Sequence, residues 1–159
     1  MNLNLKAYKK VIVKLLPKYD KQLNFKNQGA QMFSPIQIPA DAVMLFNVVK
    51  LKENVSMDDV ELVIGEMCNV VKNTYGNDKG GFIAGQVFKY AGFVSDQGTL
   101  GDKGPEEDHI VIVTYWQSFD QHEKSHADHL FKEKFNALVE FSRETKELGY
   151  ELQWQGSPE

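Results

Sequence analysis

Cysteine is almost missing from this chain. Cys68 is the single thiol in 159 residues, so no intrachain disulfide can form, and the reducing cytoplasm is the expected compartment. Positive charge is also short: 18 Lys and Arg stand against 22 Asp and Glu, a formal net charge of −4. That balance argues against nucleic acid or an anionic membrane as partner. No apolar run approaches the roughly 20 residues of a membrane span. The opening MNLNLKAYKKVIVKLLPKYD is broken by lysines and Pro17 and does not read as a secretory signal. The glycines between 98 and 104 lack the order of a phosphate-binding loop and read instead as a lid or a dimer contact. There is no Cys-x-x-Cys pair and no evident Ser-His-Asp order.

What is present is a globular composition. Apolar residues make up 42% of the chain, with ten Phe, six Tyr and two Trp, enough for one domain with a core that needs no disulfide. Leu5, Tyr8, Ile12, Leu15 and Leu16 share a helical face, so residues 4–16 are expected to form a docking helix that Pro17 ends. Residues 18–42, with Pro35 and Pro39, read as an irregular wrapping segment.

From residue 43 the pattern is regular. VMLFNVVKLK (43–52) reads as a strand. Ser56 with Asp59 makes a capping-box start for a helix to about Lys72, whose inner stripe is Met57, Val60, Ile64, Met67, Cys68 and Val71. Gly81–Phe93 reads as a second strand with a bulge or close approach at Gly85, residues 94–108 as a loop, and HIVIVTYW (109–116) as a third strand. Ser118 with Gln121 starts a helix running through Phe141, with a break near Leu130–Lys132, and Tyr150–Gln155 reads as the last strand. The order βαββαβ is the ferredoxin-like, split βαβ unit of the α+β class: an antiparallel four-stranded sheet with helices on one face. The expected domains are an N-terminal extension, 1–42, and a ferredoxin-like domain, 43–159. The strands are rich in Val, Ile and Phe, so the helix-free sheet face would be a large apolar patch, which pairing of two sheets in a homodimer would cover.

His122 and His126, at i and i+4, project from one helix face and can chelate one metal ion. Two histidines with one carboxylate make the facial triad of non-haem iron; zinc uses the same ligand types. His129, one turn on, is a candidate for an outer or alternative ligand, and His109 reads as structural. The bland alternative is a solvated helix face beside Glu123, Lys124 and Asp128. Cys68 on the inner stripe reads as a buried inert thiol; a reactive role would need access and a lowered pKa. Phe88, Tyr90, Tyr115, Trp116 and Phe119 are candidates for a substrate pocket, against the default of aromatic core.

TYWQSFDQHEKSH (114–126), a strand ending in Trp116, a turn started by Ser118 and a helix carrying His126, resembles the dimeric α+β-barrel superfamily of the antibiotic-biosynthesis-monooxygenase type. The likeness covers about residues 43–156. Within it, VMLFNVVKLKENVSMDDVELVIGEMCNVV and the H-x-x-x-H pair are similar to the sulfur oxygenase reductase family. That resemblance implies a mononuclear non-haem iron held by His122, His126 and a later glutamate after a Gly and an aromatic, which Gly149, Tyr150 and Glu151 match. It also pairs Cys68 with a family cysteine, which makes His126 and Cys68 the candidate catalytic residues. This chain is much shorter than those enzymes, so their sulfur substrate does not carry over. The implied function is a small oxygenase-like enzyme acting on a small hydrophobic or sulfur-containing molecule, with iron, or without cofactor as in some members of the monooxygenase type. The alternative is a non-catalytic dimeric module that binds a small ligand or stabilises an assembly.

Overall fold

The computed structural model of the chain describes residues 35–102 and 108–156. The expected helix at 4–16 lies outside them. Pro35–Ala42 is irregular and leads into β1 (Val43–Leu51), followed by α1 (Met57–Tyr75), β2 (Phe82–Lys89), β3 (His109–Trp116), α2 (Phe119–His126), α3 (His129–Val139) and β4 (Ser142–Glu151). The strands form one antiparallel sheet in the order β2-β3-β1-β4. This is the ferredoxin-like arrangement, with its two most apolar strands at the centre.

Strand parity assigns the faces. On β1, Leu45, Val49 and Leu51 point to the helices and are buried. Val49 and Leu51 meet Ile110 and Ile112 of β3 beneath Val60, Ile64 and Met67 of α1 and Leu138 of α3, while Leu45 joins Val71 and Trp116 in a second cluster. The stripe expected on α1 is therefore the packed one. Its start is held by the Asp59 carboxylate, which accepts from the Ser56 amide at 2.9 Å and hydroxyl at 2.7 Å. The opposite sheet face carries Met44, Phe46 and Val48 of β1 with Val111 and Tyr115 of β3, all partly buried, buried Val113, and exposed Phe88 of β2 and Tyr150 of β4.

Local structure departs from expectation in three places. β2 ends at Lys89, and its register shift falls between Phe82 and Ala84 rather than at Gly85. The chain then folds into a small hairpin. The Phe93 amide donates to the Asp102 carbonyl (3.1 Å), the Ser95 amide to the Thr99 carbonyl (2.9 Å), and Gly98 at φ 78° takes the left-handed turn position. The break in the second helical region lies at Ala127–Asp128, before the expected 130–132. Asp128 caps α3 by accepting from the Phe131 amide at 2.8 Å, and its other oxygen accepts from the Tyr75 hydroxyl at 3.0 Å. Burial first, then this carboxylate, push the Tyr75 hydroxyl up to about 12.

The third departure matters most for the site. The last strand is SRETKELGYE, starting eight residues before the expected Tyr150. It is an edge strand, mostly exposed and charged, so it shows no apolar alternation. The Ser142 hydroxyl donates to the Leu138 carbonyl at 2.9 Å as the chain leaves α3.

Leu138 is fully buried between α3, α1 and the sheet. Leu138→Ala is expected to lower unfolding free energy by about 2–5 kcal/mol, and Asp128→Ala by about 1 kcal/mol through the lost cap. Urea denaturation of the two variants checks the ranking; equal midpoints would contradict this assignment of core and cap.

Candidate functional site

Three elements meet at one point. β3 ends in Trp116, whose side chain turns toward the helices and is 1% exposed. Its indole N–H donates to the Thr114 hydroxyl at 3.0 Å. Ser118 then starts α2: its Oγ accepts from the Gln121 amide and donates to the Gln121 side-chain oxygen, each at 3.2 Å. The short capped turn aims the first face of α2 back at the sheet. His122 comes to rest edge-on to Trp116, ring centroids 5.3 Å apart, and His126 lies 5.4 Å from the Phe131 ring.

The two imidazoles converge. Their Nε2 atoms are 3.1 Å apart. Opposite them stands Glu147 of β4, with Oε1 at 3.2 Å from His122 Nε2 and Oε2 at 3.4 Å from His126 Nε2. Glu147 pairs across the sheet with Asn47, the one polar residue on the helix-facing side of β1, and hydrogen-bonds its side chain. The His122 side chain is mostly covered at 13% exposure, whereas Glu147 (31%) and His126 (45%) remain open to solvent. The constellation is thus anchored on one side and accessible on the other.

The electrostatics match this geometry. Burial opposes ionisation of Glu147. Hydrogen bonds from His122 and His126, the adjacent His122 charge and the bond from Asn47 outweigh it and hold the carboxyl well below its usual range. His126 is raised from its ordinary value, first by its hydrogen bond to Glu147 and further by the charges of Glu147 and Glu123, against burial and Lys132.

Without a metal, the three groups satisfy one another: an Nε2–H on one ring can donate to the lone pair of the other or to the carboxylate. The same three atoms are also spaced to share one cation. Ligands at about 2.1 Å and right angles lie about 3.0 Å apart, close to the 3.1, 3.2 and 3.4 Å separations here. His122, His126 and Glu147 are the group of potential ligands found among the described residues, with ligand atoms all within 4.8 Å of one another.

The structure therefore joins the expected His122 and His126 to Glu147 in place of Glu151. Glu151 shares the face of Glu147 but sits four residues farther along β4, opposite Val43, roughly 13 Å away at strand rise. His129 is not on the His122–His126 face, because the break at Asp128 places it at the start of another helix, where it is exposed. His109 stacks on Tyr90 with centroids 4.5 Å apart. Cys68 packs against the main core, and burial pushes its thiol above the usual value, the opposite of what a nucleophile needs.

The five aromatics do not line one pocket. Trp116 faces the helices, Tyr115 and Phe88 lie on the other sheet face, Tyr90 follows β2 beside His109, and Phe119 sits on Gly149. Glu147 is the member of this cluster that sequence reasoning missed. A polar Asn47 in an otherwise apolar strand face was the available signal that something charged lay opposite.

The pair's charges set a pH profile for metal-free protein. Glu147 is depressed in the fold, so its contribution is complete above the ordinary carboxyl value of 4.5 and is lost as pH falls through the lower folded value. His126 is raised, so its contribution is complete below 6.5 and is lost as pH rises through the raised value. Chelator-treated protein is expected to be most thermostable between these limits, with Glu147→Gln flattening both limbs. Superimposable Tm–pH curves for the two proteins would contradict the pairing.

No family model and no curated relative matches the chain. Solved structures do. SnoaB, a cofactor-independent oxygenase from Streptomyces nogalater, superposes with a TM-score of 0.54 at 16% identity over 76% of this chain and 100% of that one. A hydroxynitrile lyase from Passiflora edulis gives 0.54 at 11% identity, again over 76% and 100%. An Arabidopsis thaliana protein gives 0.55 at 13% identity over 72% and 99%. At these identities the likeness is one of fold alone: the chain shares the antiparallel α+β arrangement of these proteins.

Proposed function

We propose that this protein is a small oxygenase-like enzyme with a mononuclear non-haem iron site formed by His122, His126 and Glu147. The observation that carries this reading is the convergence of three ligand atoms at separations of 3.1–3.4 Å. The donor set fits: two imidazole Nε2 atoms and a carboxylate held ionised suit a divalent ion. When bound, iron in such a triad supplies open positions where oxygen and a substrate can meet.

The chain's own residues do the rest. Trp116 and Phe131 brace the two imidazoles from the core side, so their Nε2 atoms are aimed outward. Asn47 holds the Glu147 carboxylate in line with them. The exposed flank at His126 leaves approach from solvent open. The substrate class in this reading, a small hydrophobic or sulfur-containing molecule, is an expectation from the motif resemblance alone; fold likeness adds no substrate, since it spans an oxygenase and a lyase. Two copies would pair through the helix-free face, where exposed Phe88 and Tyr150 flank partly buried Met44, Phe46, Val48 and Tyr115, because a contiguous apolar face of this kind is rare on a monomer.

Metal analysis of untagged protein is the direct test. About one equivalent of iron or zinc is expected in wild type and in Glu151→Ala, with less than about a tenth in His126→Ala and Glu147→Ala. Less than a tenth in wild type after reconstitution would sink the metal reading and leave a cofactor-free oxygenase or a non-catalytic ligand-binding module.

The assembly has its own test. Light scattering is expected to show a dimer at micromolar concentration, and Phe46→Glu to give a folded monomer. A monomeric wild type would refute the paired sheets.

A further inference from the structure

Helix α2 meets β4 at a second place besides the ligand atoms. Phe119, the first residue of α2, precedes His122 by three and His126 by seven, so all three form one stripe. Glu147 and Gly149 are alternate residues of β4 and share the side facing that stripe. The Phe119 ring lies directly on Gly149. A Cβ built there would stand 2.8 Å from Cε1 and 3.2 Å from Cζ of the ring, well inside the 3.5–4.0 Å of a relaxed carbon contact. Glycine alone lets the ring come so near.

Spacing ties this contact to the ligands. From Phe119 to the level midway between the two histidines, α2 rises about 7.5 Å. From Gly149 to Glu147, β4 runs about 6.8 Å the opposite way along the chain. Phe119 over Gly149 and the histidines over Glu147 therefore make a matched two-point seat. Phe119 belongs to neither core cluster and stays 38% exposed, so packing of the main core does not account for where it lies.

Resting on the reading of the triad as a metal site, we propose that Phe119 and Gly149 are positioning residues: their contact sets the height of α2 above β4 at which His122, His126 and Glu147 can share one ion. An added methyl at 149 lifts the ring, and the helix turn bearing His122 moves with it. Loss of the ring lets the same turn settle or drift. Neither change touches a ligand atom.

The test uses untagged full-length protein, stripped of metal and titrated with Co(II), read by visible absorption and by competition with a chelator. Gly149→Ala is expected to weaken Co(II) binding roughly 10–100-fold and to alter the absorption bands, with far-UV circular dichroism unchanged. Phe119→Leu in the Gly149→Ala background is expected to restore part of the affinity, because the smaller side chain makes room for the methyl. If Gly149→Ala does not fold, Phe119→Ala, which adds no atom, is expected to show the loss by itself. Wild-type affinity and spectrum in the folded single variants, or strictly additive effects in the pair, would overturn the positioning role while leaving the metal site standing. Failure of wild type to bind Co(II) would overturn the metal reading itself, and the positioning role with it.

Discussion

The indole of Trp116 is the contact on which the rest of the molecule turns. At 1% exposure it sits between Tyr75 at the end of α1, Phe82 at the start of β2 and His122 on α2, with centroid separations of 5.9, 5.4 and 5.3 Å. One side chain thus ties the end of a central strand to two helices, α1 and α2, and to an edge strand. An aromatic of this size contributes both area removed from water and edge-to-face attraction. Its N–H is satisfied by Thr114 two residues back, so the indole can be buried without leaving a donor unpaired. The imidazole of His122 is positioned by packing before any ligand is considered.

Polar residues on the helix-facing side of the sheet follow the same economy. Thr114 interrupts the apolar series of β3 and serves Trp116; Asn47 interrupts that of β1 and serves Glu147. A polar group buried without a partner is costly, and each of these has one. The result is an apolar core at one end of the sheet and a polar, solvent-accessible corner at the other, where edge strand β4 brings its carboxylate beneath α2. Placement at an edge gives access; placement opposite Asn47 gives order.

Fold and chemistry separate cleanly here. The same architecture holds an oxygenase in one organism and a hydroxynitrile lyase in another, so the scaffold does not select a reaction. A functional reading of this chain therefore rests on its own side chains, and the separations among His122, His126 and Glu147 carry more information for it than the superposition does.

Much was legible along the chain because it is local. The apolar series of β1 and β3, the stripe of α1, the caps at Ser56 and Ser118 and the i, i+4 histidines all depend on neighbours within a turn or two. The Asp128 cap was equally local, but continuous helical periodicity on either side masked it. β4 was not legible: an edge strand exposed along most of its length needs no apolar alternation, so SRETKELGYE reads as helix and loop. The choice of carboxylate was not legible either. Glu147 and Glu151 share one strand face, and only the antiparallel register that sets Glu147 against Asn47 and Glu151 against Val43 decides which lies under the histidines. That register is a property of distant strands pairing. The local pattern therefore settles the elements other than β4 and the imidazole pair, and long-range backbone hydrogen bonding settles β4 and the carboxylate beside that pair.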